Sequence, residues 1–356
     1  LYTFYVNSTF TAADAIAKLK VKVGGVNLPP GLEEKINEYF SQLEVNSRSE
    51  DTFWSYYQSI SKYLDWVISL PWNTRSQDIL DIRYAQEKLD ENHYGLEEVK
   101  DRILEYISVL SLKKSRSPEV IPRAPILLFV GLVGTGKTTM AKSIADVMGR
   151  KLIRIPFGGL GDPLYLRGQS RLHPEAEPGA IIRGLAQCQT KNPVILLDEI
   201  DRVADDSLNT IMGILVELLD PEQNARFTDH YLDYPFDLSE TFFVATCNNT
   251  SRIATAVMDR LEIIQMPSYT DEEKITIGRD YLLPQALKEN GLTSEELKID
   301  QNIWLSIVRP LGFDAGVRTL KRNIEGLCRK SAALILSGTK QIIIDETNIK
   351  KFIPQW

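Results

Sequence analysis

Between Gly131 and Thr138 the chain reads GLVGTGKT, set between the apolar run ILLFV and the helix-patterned MAKSIA. Backbone freed by Gly131, Gly134 and Gly136 can turn its N–H groups onto an anion, and a helix opening there adds the positive end of its dipole. Lys137 would bring a point charge to β/γ-phosphates and Thr138 a hydroxyl to Mg²⁺, with Thr135 and Thr139 in the same wrap. Further on, PVILLDEI carries an apolar strand into two adjacent carboxylates, Asp198 and Glu199. Burying such a pair is costly unless a cation or a reacting water uses it. Asp198 is therefore the candidate Mg²⁺ ligand, through water, and Glu199 the candidate activator of an attacking water. FFVATCNN places Asn248 at another strand end, where its amide could orient that water. Arg260 in MDRLE and Arg318 in AGVRTL could meet transition-state charge, although residue physics alone reads each as a surface or salt-bridge residue. The chemistry open to this set is transfer of a γ-phosphoryl group to water.

Positioning these groups needs a sheet. ILLFVG, KLIRIPF, PVILLDEI and TFFVATCNN are short apolar strands, alternating with helical stretches at 137–148, 178–188 and 207–219. That alternation predicts an α/β fold with a parallel sheet covered by helices on both faces. Upstream, LPPGLEEKINEYFSQLE and DTFWSYYQSISKYLDWVISLPW predict helices within residues 1–75. DILDIRYAQEKLDENHYGLEEVKDRILEYISVL predicts two more, broken at Asn92–Gly95, and KKSRSPEVIPRA predicts a loop. From Asp271 the pattern is helical again, with a short strand QIIID near the end.

Bulk properties remove several function classes. At 356 residues and net charge −7, the chain is too long for one ordinary core and poorly suited to a binder held mainly by nucleic-acid phosphates. Cys188, Cys247 and Cys328 have no CxxC spacing and read as free thiols in a reducing compartment. No apolar run approaches the roughly 20 residues of a membrane span, and no signal-peptide pattern opens the chain at Leu1. The expectation is a fragment that requires neither membrane nor nucleic acid.

HYGLEEVKDRILEY, GTGKT, LLDEID, ELLDPEQNARFTDHYLDYPFDLS, FVATCNN, MDRLE, PSYTDEEK, YLLPQALKENGL and AGVRTLKR together resemble the ATPase module of Lon proteases, a branch of the AAA+ superfamily. The resemblance implies a helical N-terminal segment over 1–75, an AAA+ P-loop domain over 76–267 and a small helical lid over 268–356. It assigns ATP and Mg²⁺ as ligands, Asn248 as sensor 1, Arg318 as the sensor-2 arginine, and Arg260 as a finger acting on the neighbouring subunit's nucleotide. His93, Tyr94, Tyr269 and Ile277 match positions around the adenine. It further implies a homohexameric ring threading unfolded or misfolded polypeptide toward a downstream proteolytic domain with a Ser–Lys dyad. The chain ends at FIPQW, just past the lid, so peptidase activity is not expected in it. GLVGTGKTT and GQSR are most similar to the fungal peroxisomal branch, implying the peroxisomal matrix, with the mitochondrial matrix as alternative. Competing expectations are another AAA+ remodelling ATPase and a slow-turnover nucleotide-binding assembly module.

RLHPEAEPG departs from the family. Where a pore loop carries an aromatic, an apolar residue and glycine, this chain has His173, Pro174 and Glu175. The second pore loop departs too, reading SLNTI from Ser207 to Ile211. Grip by Leu172 or Tyr165, a narrower range favouring basic segments, and weak threading are the three expectations.

Overall fold

Pro30 opens a helix, Asp81 caps another and Thr11 with Asp14 closes a capping box on a third, so the helical N-terminal part starts from local signals in the sequence. The structure is a computed structural model that describes residues 11–48, 50–116, 125–173, 175–309 and 314–353. The expectations for Pro174, for residues 1–10 and for most of the loop KKSRSPEVIPRA lie outside them.

In chain order come α1 (Ala12–Gly24), α2 (Pro30–Asn46), α3 (Glu50–Ser69), α4 (Ile82–Asn92), α5 (Glu97–Arg116), β1 (Ile126–Val130), α6 (Lys137–Val147) and β2 (Leu152–Pro156). Then follow α7 (Leu164–Arg167), α8 (Ala180–Cys188), β3 (Val194–Asp198), α9 (Leu208–Leu219), β4 (Phe227–Thr228), β5 (Pro235–Phe236), β6 (Phe242–Cys247), α10 (Thr255–Met258) and β7 (Leu261–Gln265). The last part holds α11 (Asp271–Thr276), α12 (Leu283–Glu289), β8 (Leu297–Ile299), α13 (Trp304–Val308), α14 (Arg318–Leu336), β9 (Ile342–Ile344) and α15 (Ile349–Phe352).

The main sheet runs β2-β3-β6-β1-β7 with every pairing parallel. β1, β3 and β6 are buried along their whole length, as strands covered on both faces must be. Alternate residues serve alternate layers. Leu128, Ile195 and Leu197 pack with α1–α3, α8 and α9, whereas Leu127, Phe129, Leu196 and Val244 pack with α4, α5 and α6. The N-terminal helices thus share an apolar core with one face of the sheet. The lid residues from Ala286 to Ile353 have a separate core around Trp304, Ile324 and Leu327.

Three features escaped the sequence pattern. LKI forms β8, paired parallel with β9, which QIIID had predicted without a partner. β4 and β5 form a two-residue antiparallel pair inside DPEQNARFTDHYLDYPFDLS. The expected helix after Asp271 contains a π-helical stretch, Ile277–Leu282. Pro284 cannot donate to the carbonyl of Asp280 four residues back, and its ring crowds that carbonyl, so a wider turn ahead of it relieves the ladder.

Candidate active site

The C-terminal ends of β1, β3 and β6 lie side by side, and each delivers one of the groups expected to do chemistry. After β1, Gly134 (φ 86°) and Gly136 (φ 94°) occupy the left-handed region that glycine enters without strain. A Cβ on Gly131 would lie 2.6 Å from the Met266 carbonyl oxygen, so that position admits no side chain. Thr135 Oγ1 donates to the Leu132 carbonyl at 2.9 Å and Thr139 Oγ1 to that of Gly136 at 2.8 Å, locking the wrap. Lys137 is buried, and its Nζ donates to the carbonyls of Gly131 (2.6 Å) and Leu132 (2.9 Å) and to Asn248 Oδ1 (3.2 Å). Burial holds its pKa below the ordinary lysine value. A desolvated ammonium at the mouth of a glycine cradle fits a polyphosphate chain.

Asp198 ends β3, buried, and is not a bare carboxylate. Its Oδ1 accepts from Thr246 Oγ1 at 2.6 Å and Thr138 Oγ1 at 3.3 Å. Its Oδ2 accepts from Arg154 Nε at 2.8 Å and lies 2.6 Å from a second guanidinium nitrogen. Arg154 comes from β2, next to β3 in the sheet, and supplies the counter-charge that a buried carboxylate requires. Glu199 follows in a left-handed conformation (φ 59°), with its N–H donating to Thr246 Oγ1 at 2.9 Å and its carboxylate 3.5 Å from Arg202. Asp201, also buried, accepts from the backbone of Asn248 at 3.0 Å and Asn249 at 3.4 Å, which fixes the turn after β6. Asn248 Nδ2 is buried without a partner, an amide donor left for something the chain itself does not provide. Arg154, Asp201 and Thr246 were passed over in the sequence. Only Asp201, a third acid in LLDEID, carried a visible signal.

The lid seats directly on the phosphate loop. Val317 N–H donates to the Gly134 carbonyl at 3.0 Å, and a Cβ on Gly316 would lie 2.4 Å from the Gly134 carbonyl carbon. This places Arg318, exposed at the start of α14, beside Gly134. Of the residues expected around a base, Tyr94, Tyr269 and Ile277 share one apolar cluster with Met140 of α6. Burial raises the Tyr269 phenol to about 12. His93 is buried against Ser143, Nε2 to Oγ 2.9 Å, and burial with the nearby Lys100 charge lowers it to about 4. The ring is therefore neutral.

Arg260 stands apart from this cluster. It donates to Asp220 Oδ2 at 2.9 Å and to the Ala256 carbonyl at 2.7 Å, and its Nε is buried without a partner. None of these contacts involves the phosphate loop, Asp198 or Glu199. The hydrogen bond from Arg260 depresses the Asp220 carboxyl.

The loop between α7 and α8 presents His173 to solvent next to Leu172, which is 92% exposed. Tyr165 is half-buried under the Arg183 guanidinium. The loop's base is firmly held. Arg171 stacks 4.0 Å above Tyr63 and donates to Tyr39 Oη at 2.7 Å, Lys62 Nζ donates to the Ala176 carbonyl at 3.0 Å, and Gly179 N–H donates to the buried Asp229 at 2.7 Å. A cavity of about 650 Å³ opens beside His173, Glu175 and His230. In SLNTI, Ile211 is buried and Ser207 bonds to the Gly161 carbonyl.

Residues 127–269 match the family described as "ATPase family associated with various cellular activities (AAA)", and residues 288–344 match "Lon protease AAA+ ATPase lid domain". The chain is 41% identical over 348 residues to Lon protease 2 of Thermus thermophilus, across 95% of this chain and 42% of that protein. Lon protease 1 of Bacillus subtilis is 44% identical over 340 residues, with the same two shares. Lon protease of Lawsonia intracellularis is 47% identical over 295 residues, 83% of this chain and 35% of that protein. The chain thus spans about two-fifths of the length of these relatives.

Proposed function

Because the chain belongs to the Lon proteases of the AAA+ superfamily and carries their ATPase and lid domains, we propose that it hydrolyses ATP to drive polypeptide into a protease. The observation that carries this reading is the convergence of Lys137, Asn248, Asp198 and Glu199 at three adjacent strand ends, with the lid bonded to Gly134. Lys137 and the loop N–H groups would hold the phosphates, and Arg318 would meet them from the lid. Glu199 would take a proton from water as its oxygen bonds to the γ-phosphorus. The bond from that phosphorus to the bridging oxygen breaks, and its electron pair leaves with ADP. Asn248 would orient that water through its unpaired amide donor.

The donor set fits a hard divalent cation: Thr138 and Asp198 offer oxygen ligands 3.3 Å apart at the mouth of the phosphate cradle. Mg²⁺ there supplies charge neutralisation of the phosphates. Arg154 already neutralises Asp198, which favours an Asp198 contact through water rather than a direct one.

Ring assembly is supported by Arg260, whose hydrogen bonds run to Asp220 and Ala256 and not to this chain's own phosphate loop, and which would serve a neighbour's nucleotide. Unfolded polypeptide as cargo is supported by the exposed Leu172 and His173 on a loop with a rigid base. The peroxisomal assignment rests on GLVGTGKTT and GQSR alone. Turnover and particle mass of Glu199→Gln, with ATP and Mg²⁺, test the proposal: the variant should bind ATP, assemble and not hydrolyse. Hydrolysis at the parent rate would remove Glu199 from the reaction. A parent chain that assembles yet never hydrolyses would instead mark a nucleotide-controlled assembly module.

A further inference from the structure

Thr246 lies inside β6, two residues before Asn248, with no exposed surface. Its single hydroxyl touches both members of the acidic pair. The Glu199 N–H can only donate, so Oγ1 accepts there at 2.9 Å, and the hydroxyl proton is left for Asp198 Oδ1 at 2.6 Å. The Glu199 carbonyl in turn accepts from the Arg202 N–H at 2.9 Å. Glu199 holds a left-handed backbone (φ 59°), which a residue with a Cβ disfavours. Its carboxylate has only Arg202 at 3.5 Å as an ionic partner among the described residues. A Cβ on Gly158 would lie 3.0 Å from Glu199 Oε2, so the carboxylate also lies close against the turn after β2. The direction of the Glu199 side chain is therefore set mainly from its backbone.

We propose that Thr246 is a positioning residue for hydrolysis: its hydroxyl fixes Glu199 in the conformation that presents the carboxylate to water and orients Asp198 beside it. The proposal rests on the reading of Glu199 as the water-activating group. Replacing the hydroxyl by a methyl leaves the packing nearly unchanged but strands a buried N–H and removes one donor from Asp198. Relaxation of Glu199 out of the left-handed region is the direct escape, and it swings the carboxylate away.

Steady-state turnover and binding of a fluorescent ATP analogue, measured on Thr246→Val, Thr246→Ser and Glu199→Gln of this chain with Mg²⁺, test this. Thr246→Val should bind the analogue within about threefold of the parent while kcat falls at least about tenfold, since a placed general base is worth about 10²–10⁴-fold. Thr246→Ser, which keeps the hydroxyl, should recover most of the rate even if its Tm is lower. If Thr246→Val does not fold, Thr246→Ala removes the same hydroxyl from a smaller side chain and serves in its place. A parental kcat in the hydroxyl-free variant beside an inactive Glu199→Gln would overturn the proposal, as would a serine variant just as slow. Parental turnover by Glu199→Gln would remove the reading beneath it.

Discussion

Buried polar side chains in this site act through the charge they keep or refuse, and His93 shows the sign most plainly. Its folded pKa of about 4 lies below the ordinary 6.5, through burial first and the Lys100 ammonium second. Between those values the unfolded chain binds more protons than the folded one. The stability from the neutral ring is complete above pH 6.5 and is lost as pH falls toward 4, a contribution of up to about 3 kcal/mol. Denaturant melts at pH 7 and pH 4.5 should therefore show a smaller acid loss for His93→Gln than for the parent. Parallel losses would mean that the imidazole takes up protons as readily folded as unfolded. Asp90 and Glu97 hold Lys100, and Ser143, itself bonded by Asn92, holds His93 together with the Thr139 backbone.

At the scale of elements, Gly316 and Val317 at the start of α14 join the lid to the phosphate loop. A methyl at position 316 would meet the Gly134 backbone at 2.4–2.6 Å, with no flexible side chain to yield. Such overpacking costs about 1–3 kcal/mol. If it is relieved by lifting α14, the ATP dissociation constant of Gly316→Ala should rise about 5- to 150-fold. A titration showing parental affinity would mean that the lid leaves Gly134 when nucleotide binds. The π-helical stretch starts at Ile277, one of the residues clustered with Tyr269, and ends two residues before Pro284.

Across the whole molecule, α1–α3 form a layer of the main core, and α2 and α3 brace the loop of His173. Tyr63 is fully buried, donates to the Leu232 carbonyl at 3.2 Å and lies under Arg171. Tyr63→Ala should lower stability by about 3–5 kcal/mol, as other large aromatic truncations do. It should also loosen the loop, raising hydrogen exchange around residues 169–177 more than in α6. Unchanged exchange in the loop would show that Tyr39, Lys62 and Asp229 hold it without Tyr63. An N-terminal segment so joined to the loop of His173 can transmit strain between them, which two separate cores could not do.

Much of the candidate site was legible in the sequence because it depends on local patterns. Glycine spacing, apolar strands ending in acids and an amide at a strand end are all short-range signals, and they identified Lys137, Asp198, Glu199 and Asn248 before any tertiary contact was known. Arg260 and Arg318 needed resemblance, since an arginine's partner is not written beside it. Only the tertiary structure joined Arg154 to Asp198 and Thr246 to both acids, because these contacts cross between β2, β3 and β6, and parallel register is fixed by packing rather than by local spacing. It also decided that the N-terminal helices share the sheet's core. As a string of letters RLHPEAEPG showed two prolines and two glutamates and nothing of what holds it. Tyr39, Tyr63 and Lys62, more than a hundred residues upstream, give it a fixed base, because cations and open carbonyls seek partners wherever the chain has brought them.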